Sequence, residues 1–439
     1  MRWRSLRKFP RKNYKNYLKG YAAGYRAGRL IGTASYHQLF NGTSIIIPTY
    51  NQFRYLKDCI ESIRRHTPQS YELIIIDNGS TDATPAYLKS QAGRLRYKLF
   101  QENLGFAGGV NQGLMMAKGT SIVILNNDTI VTTNWLSNLL MCLKSDPTIG
   151  LVGPVTNNLS NDQKIRVSYK NKSEMQRFAR KYNRTDPWRW RRTKVIMGYC
   201  LLLSREVFER VGYLDERFLK GTCEDVDYYL RIRLLGLDLV IAEDTFIHHY
   251  GSVTMRSFQD AAILNNSFFR EKWGELEQIA RLEAVMDSPR TQINRKSTDF
   301  YPSHIVVKGT ETNLYWVENG ERYIVQGADG FTCDAVKLPQ LELWNWPIGG
   351  VISVEALRLK VSELSSPSSI KTEGCLVQTQ GGEIYQIKHG SLHRITTQHA
   401  FRSWGFECRY MHQITQVDKN QFLEGFPIIA PPIIKADNI

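Results

Sequence analysis

Between residues 43 and 128, short apolar β-branched runs alternate with segments of helical period, and each run stops at a polar or strand-breaking residue. Thr43-Ser-Ile-Ile-Ile-Pro reads as a buried strand ended by Pro48. Tyr55, Leu56, Cys59, Ile60 and Ile63 then recur at helical spacing, and Tyr71-Glu-Leu-Ile-Ile-Ile-Asp is a second strand. Asn78-Gly-Ser-Thr-Asp turns into a helix with Pro85 in its first turn. Tyr97 to Phe100 makes a third strand, Gly108 to Lys118 a helix, and Ser121-Ile-Val-Ile-Leu a fourth strand ending in Asn126-Asn127-Asp128. This succession predicts an α/β unit on a mostly parallel sheet. Ligands of such sheets bind beyond the carboxyl ends of the strands, where Pro48 to Asn51, Asp77 and Asp128 fall.

Position gives these polar residues a joint meaning. Asp77 is placed to accept hydrogen bonds from a base or ribose, and Asp128 to bind a divalent cation bridging two phosphates, so one site would hold a nucleoside diphosphate. Taken alone, either carboxylate is more often a helix cap or Asx-turn. Asn103-Leu-Gly-Phe-Ala-Gly-Gly-Val-Asn brings glycine backbone close to a ligand and presents Asn111 near the start of a helix, without the spacing of a dinucleotide fingerprint or a phosphate loop. Further on, Glu224-Asp225-Val-Asp227 opens a helix whose apolar face is Val226, Tyr229, Leu230 and Leu234. Carboxylates there also complement the helix dipole.

Pro48-Thr-Tyr-Asn, Ile76-Asp-Asn-Gly-Ser-Thr-Asp, the glycine-rich segment, Leu125-Asn-Asn-Asp and Glu224-Asp-Val-Asp, in this order, resemble the signature of family 2 glycosyltransferases with the GT-A fold, over about residues 43 to 255. The pattern is most similar to the bacterial branch that adds rhamnose or related sugars to cell-surface glycans. The resemblance implies an α/β GT-A domain that moves a sugar, with inversion, from a dTDP- or UDP-sugar to a hydroxyl of a cell-envelope polysaccharide or lipid-linked precursor. It puts Asp77 on the nucleobase, with Pro48, Tyr50 and Asn51 lining that side. Asp128 would sit on a manganese or magnesium ion, with Asn127 beside it. Phe106, Gly109 and Asn111 would face the donor sugar and phosphates. Asp225 becomes the general base, with Glu224 and Asp227 orienting the acceptor or supporting the site. One histidine of His248-His249 would complete the metal or diphosphate site, His248 being slightly favoured. The family's Asp-x-Asp motif lacks its first Asp here, Asn126 standing in that place, which leaves one carboxylate fewer for a metal.

The rest of the chain adds context. At 439 residues it exceeds the roughly 250 at which a single core stops growing. The expected division is a basic arm over 1–42, a transferase domain over 43–290 and a β-rich region over 291–439. Residues 1–32 hold ten Arg or Lys and no acid, interleaved with aromatics, within a net charge of +15. Such an arm suits an anionic membrane surface, and a solubilising tail fits it nearly as well; nucleic acid is the weakest partner. No apolar run approaches the ~20 residues of a membrane span. Seven widely spaced cysteines predict free thiols in a reducing compartment, and with it a cytoplasmic enzyme, which the basic arm could place at the inner membrane face. Residues 157–195, ending Trp188-Arg-Trp-Arg-Arg, read as a polar loop open to an anionic acceptor or to solvent. Residues 256–290 read as helical, with Ile263, Trp273, Leu276 and Leu282 packing on the catalytic domain. After residue 290 a weak repeat pairs Tyr315 with Tyr385, Gly320 with Gly390 and Phe331 with Phe401, each 70 apart. Trp316, Trp344, Trp346 and Trp404 there would suit glycan or a small core. The alternative function is therefore non-catalytic glycan binding or scaffolding through these repeats.

Overall fold

The computed structural model describes residues 38–251, 259–287, 294–327, 335–367 and 372–435, and ahead of them 19–20, 22–24, 26–28, 30–32 and 34, which are helical. Strands β1 (Phe40–Thr49), β2 (Tyr71–Asp77), β3 (Arg96–Leu99), β4 (Gly119–Leu125), β6 (Ile149–Val155), β7 (Trp190–Thr193), β8 (Cys200–Ser204) and β9 (Asp238–Phe246) form one sheet in the order β3-β2-β1-β4-β8-β6-β9-β7. Strands β1 to β4 run parallel, β8 opposes β4 and β6, and β9 runs parallel to β6. The mostly parallel α/β sheet expected of a GT-A domain is thus present. Its central strands are buried on both faces because helices cover both, which is why Ile45–Ile47, Ile74–Ile76 and Ile122–Leu125 need no polar alternation.

The register Thr49↔Asp77 and Ile46↔Ile124 sets the ends of β1, β2 and β4 side by side. A two-stranded ribbon then joins β5 (Thr129–Ile130) to β10 (His248–His249), bringing a segment 120 residues downstream against the residues after β4. The stretch read as a loop over 157–195 holds a helix, Lys172–Tyr182, and β7, an edge strand antiparallel to β9. Arg191 and Arg192 are spent there on Glu243, Asp238 and Asp146, while Trp188 is 97% exposed. Residues 259–286 form two helices, Gln259–Trp273 and Leu276–Met286, with Trp273 and Leu282 buried and Ile263 and Leu276 exposed.

The repeat is visible as topology. Strands β11 (Ile305–Lys308), β12 (Leu314–Glu318), β13 (Glu321–Gln326), β14 (Val336–Lys337) and β15 (Ile348–Ser353) are ordered β14-β11-β12-β13-β15. Strands β16 (Leu376–Thr379), β17 (Ile384–Lys388), β18 (Ser391–Arg394), β19 (Met411–Ile414) and β20 (Leu423–Glu424) are ordered β19-β16-β17-β18-β20, with the same parallel and antiparallel pairings. Tyr315 and Tyr385 hold equivalent buried places; Phe331 lies outside the described residues. Trp316, Trp346 and Trp404 are buried and only Trp344 is partly exposed, so these rings serve the core. One apolar cluster runs from Ile46 and Ile124 through Phe300 and Tyr301 to Ile428 and Ile434, so the β-rich region packs on the α/β sheet rather than beside it. Among the described residues Cys59, Cys142, Cys200, Cys223 and Cys408 form no disulfide. Among the described residues no helix is long and apolar enough to cross a membrane.

Candidate active site

A cleft of about 340 Å³ opens at the carboxyl ends of β1 and β4. Pro48, Tyr50, Phe106, Asn127, Asp128, Glu224, Asp225 and His249 line it, so the structure gathers most of the sequence-predicted site onto one surface. Asn51, Asp77, Gly109, Asn111, Asp227 and His248 are not on that surface, and each has an identifiable reason.

Asn51 has a left-handed backbone, donates its N–H to Ser80 Oγ at 2.6 Å and accepts from Thr81 N at 2.8 Å, joining the loops after β1 and β2. Asp77 is buried, takes Ser80 N on Oδ1 at 3.1 Å and leaves Oδ2 without a partner. Burial raises its pKa and the Ser80 bonds oppose the rise. An unpaired buried carboxylate oxygen is costly unless a ligand donor meets it. Gly109 is needed for close approach: a Cβ there would lie 2.8 Å from Asn78 Nδ2 and 3.1 Å from Pro48 Cβ. Asn78, which sequence reasoning passed over, lines the cleft and donates to Gly105 O at 2.9 Å. Asn111 is fully buried and bonds both the backbone of Leu214 and Glu216 Oε1, each at 2.9 Å. The expectation that it faces the donor is corrected: it ties the Gly105–Met116 helix to the segment before Glu224.

On the opposite wall, helix Glu224–Leu234 starts directly at the cleft. Asp225 Oδ2 accepts Gly198 N and Oδ1 accepts Val226 N, both at 2.9 Å. Gly198 must be glycine, since a Cβ would stand 2.9 Å from that of Asp225. Desolvation raises the Asp225 pKa, with the backbone N–H groups opposing it. Glu224 is raised as well, first by burial and then by the Asp225 carboxylate, and its Oε2 has no partner. Asp227 points into the protein instead, bonding Arg231, Trp273 Nε1 and Lys272 Nζ at 3.0, 3.0 and 2.5 Å. Of the two roles expected for it, orienting the acceptor is corrected, since two residues along a helix is more than half a turn, and supporting the site from beneath is the role that remains.

Neighbouring histidines in β10 point to opposite sides. His249 stacks on Tyr199, sets Nδ1 3.0 Å from Asn158 O, and holds Nε2 3.2 Å from Asp128 Oδ1. The carbonyl only accepts, so in the neutral ring Nδ1 bears the proton and Nε2 meets a carboxylate oxygen with a lone pair. In that neutral form the two acceptors fit a cation, whereas a protonated ring would donate Nε2–H to Asp128. His248 instead binds Tyr169 OH at 2.6 Å and is pushed by burial down to about 4, so the preference for it is corrected in favour of His249. Among the described residues no third His, Cys, Asp or Glu joins the pair. Asn126 Oδ1 is buried and unpartnered where the motif would carry its other Asp.

A mixed α/β sheet with a polar cleft across its strand ends, carboxylates on both walls, is an arrangement in which α/β proteins bind their ligands. Comparison with known proteins agrees: residues 44–212 match Glycosyl transferase family 2. Over those residues the chain is similar to family 2 glycosyltransferases. It is 29% identical over 182 residues to glycosyltransferase GlyG of Streptococcus pneumoniae, across 40% of this chain and 60% of GlyG. It is 27% identical over 250 residues to an uncharacterized glycosyltransferase, RP339, of Rickettsia prowazekii, across 55% of this chain and 74% of the relative. Among solved structures, GalNAc-T7 with UDP, GalNAc and Mn2+ is 16% identical with a TM-score of 0.40, covering 63% of this chain and 64% of that one.

Proposed function

We propose that this protein transfers a sugar from a nucleoside diphosphate to a glycan hydroxyl with inversion at the anomeric carbon. The observation that supports it best is the meeting, in one cleft, of the Asp128–His249 acceptor pair with the desolvated Asp225 carboxylate. Asp225 takes the proton of the acceptor hydroxyl as its oxygen bonds to the anomeric carbon; the bond to the diphosphate oxygen breaks and its electron pair leaves with the nucleotide. A single displacement inverts the anomer and requires no enzyme nucleophile. A manganese or magnesium ion held by Asp128 and His249 would offset charge on the departing diphosphate. Glu224, beside Asp225, orients the acceptor. Asp77, buried behind the cleft lining with Oδ2 unpartnered, would receive an imide N–H of a base that reaches past that lining, which favours uridine or thymidine donors. Pro48, Tyr50, Phe106 and Asn127 wall the donor.

The donor sugar we assign to rhamnose or a relative, and the acceptor to a cell-envelope polysaccharide or lipid-linked precursor, both on the motif resemblance. Residues 43–290 would carry the chemistry and residues 291–439 would brace it, while the basic arm over 1–42 would hold the enzyme to the inner face of the plasma membrane. The test is calorimetric titration of the full chain with UDP and dTDP, each with and without manganese. Metal-enhanced binding of either is expected; binding of neither under both conditions would overturn the donor-site assignment.

A further inference from the structure

One buried side chain outside the motifs governs a whole wall of the cleft. Asn265, on helix Gln259–Trp273, is 1% exposed. Its Nδ2 lies 2.8, 2.9, 3.0 and 3.1 Å from Leu219 O, Gly221 O, Thr222 O and Thr222 Oγ1, four acceptors that share its two N–H groups, and its Oδ1 accepts from Leu219 N at 2.7 Å. The segment it grips is strained: Lys220, Gly221, Thr222 and Cys223 have φ of +56°, +112°, +86° and +66°. Three of the four are not glycine, and one, Thr222, is β-branched. Left-handed residues of this kind persist only where the surroundings over-determine them. All four line the cleft and lead directly into Glu224 and Asp225. Across from them Gly105 packs so closely that a Cβ would lie 3.1 Å from Lys220 N.

We propose that Asn265 is a positioning residue: its side-chain amide holds the strained segment 219–223 as a fixed wall of the cleft, and so sets nucleotide affinity without touching the nucleotide. The proposal rests on the donor-cleft reading above. Cys223 supplies a probe of the wall, because its thiol is half-buried in the cleft, stands 3.6 Å from Asn266 Oδ1 and is pushed up to about 11, first by burial and then by Glu224 and Asp225. Loosening the wall exposes this thiol.

The experiment compares full-length wild type with Asn265→Ala and Asn265→Asp; the latter keeps the acceptor for Leu219 N and replaces the donors by a carboxylate facing carbonyls. Each is titrated with UDP and dTDP in manganese, and alkylated with iodoacetamide, with peptide mass spectrometry following Cys223 and using exposed Cys408 as the internal standard. Both variants should bind nucleotide about tenfold more weakly and alkylate at Cys223 about tenfold faster, with Cys408 unchanged. Thr222→Gly added to Asn265→Ala should restore part of both, since glycine accepts the left-handed backbone unaided. That double variant also replaces Asn265→Ala if the single one fails to fold. Wild-type affinity together with a wild-type Cys223 rate in Asn265→Ala would overturn the proposal. If wild type binds neither nucleotide the donor reading fails, and the Cys223 rate alone decides whether Asn265 fixes the wall.

Discussion

Asp225 is the residue on which the proposed chemistry turns, and its surroundings give it testable properties. Replacing it by Asn keeps an oxygen for the Gly198 N–H and removes the base. Turnover should fall by about 10²–10⁴-fold, the usual scale of a general base, while the nucleotide dissociation constant moves by no more than about threefold. Calorimetry and a transfer assay on the same preparation separate the two. Burial raises the Asp225 pKa, so the acid limb of kcat/KM should lie above the ~3.9 of an ordinary Asp, the rate falling as the carboxylate protonates. An acid limb at or below that value would reject the assignment. Much of this site was legible because its residues sit at strand ends or at a helix start, places that local sequence period marks. His249 over His248 was not legible, since two adjacent residues of a strand differ only in the side they face, and the partner strand settles that.

At the scale of elements, the Glu224–Leu234 helix has two environments for its three N-terminal acids. Glu224 and Asp225 open on the cleft, while Asp227 joins a buried network with Arg231, Lys272 and Asp215. Burial pushes Asp215 up, yet Lys272 and Arg217 outweigh it and hold the carboxyl below its usual range. Lys272, 1% exposed, is shared by Asp215 at 2.7 Å and Asp227 at 2.5 Å. Lys272→Met would leave two carboxylates short of their cation and should cost about 3–5 kcal/mol, read from urea unfolding. Unchanged stability would show that Arg217 and Arg231 suffice alone. The carboxylates were visible in sequence as a capping cluster. Lys272 was hidden, because only the packing of a helix some forty residues away brings it beneath them.

In the whole molecule, the β-rich region acts as a brace. Ile433 O accepts Glu216 N, Pro431 O accepts from Arg217, and the apolar cluster crosses the junction without a break. Glu342 lies in this junction, fully buried, taking Tyr301 OH on Oε2 at 2.8 Å and leaving Oε1 unpartnered against Gly212. Burial pushes it up to about 7. Below the unfolded value, near ~4.3, Glu342 is neutral in both states and its share of stability is intact; as pH rises, the unfolded chain ionises first and stability is lost until about pH 7. Glu342→Gln should therefore melt progressively higher than wild type as pH rises across that window, the gap levelling off above it. A gap independent of pH would place the ionisation elsewhere.

By itself the sequence determined the β-α rhythm, the polar strand ends, the order of the motifs and the internal repeat, because side-chain period and turn chemistry are local. Tertiary structure alone decided that Asp227 and Asn111 turn inward, that the tryptophans of the repeats fill cores, and that Asn265 steadies a wall of the cleft. Those outcomes depend on which surfaces meet across tens of residues, and burial free energy is settled only when they do.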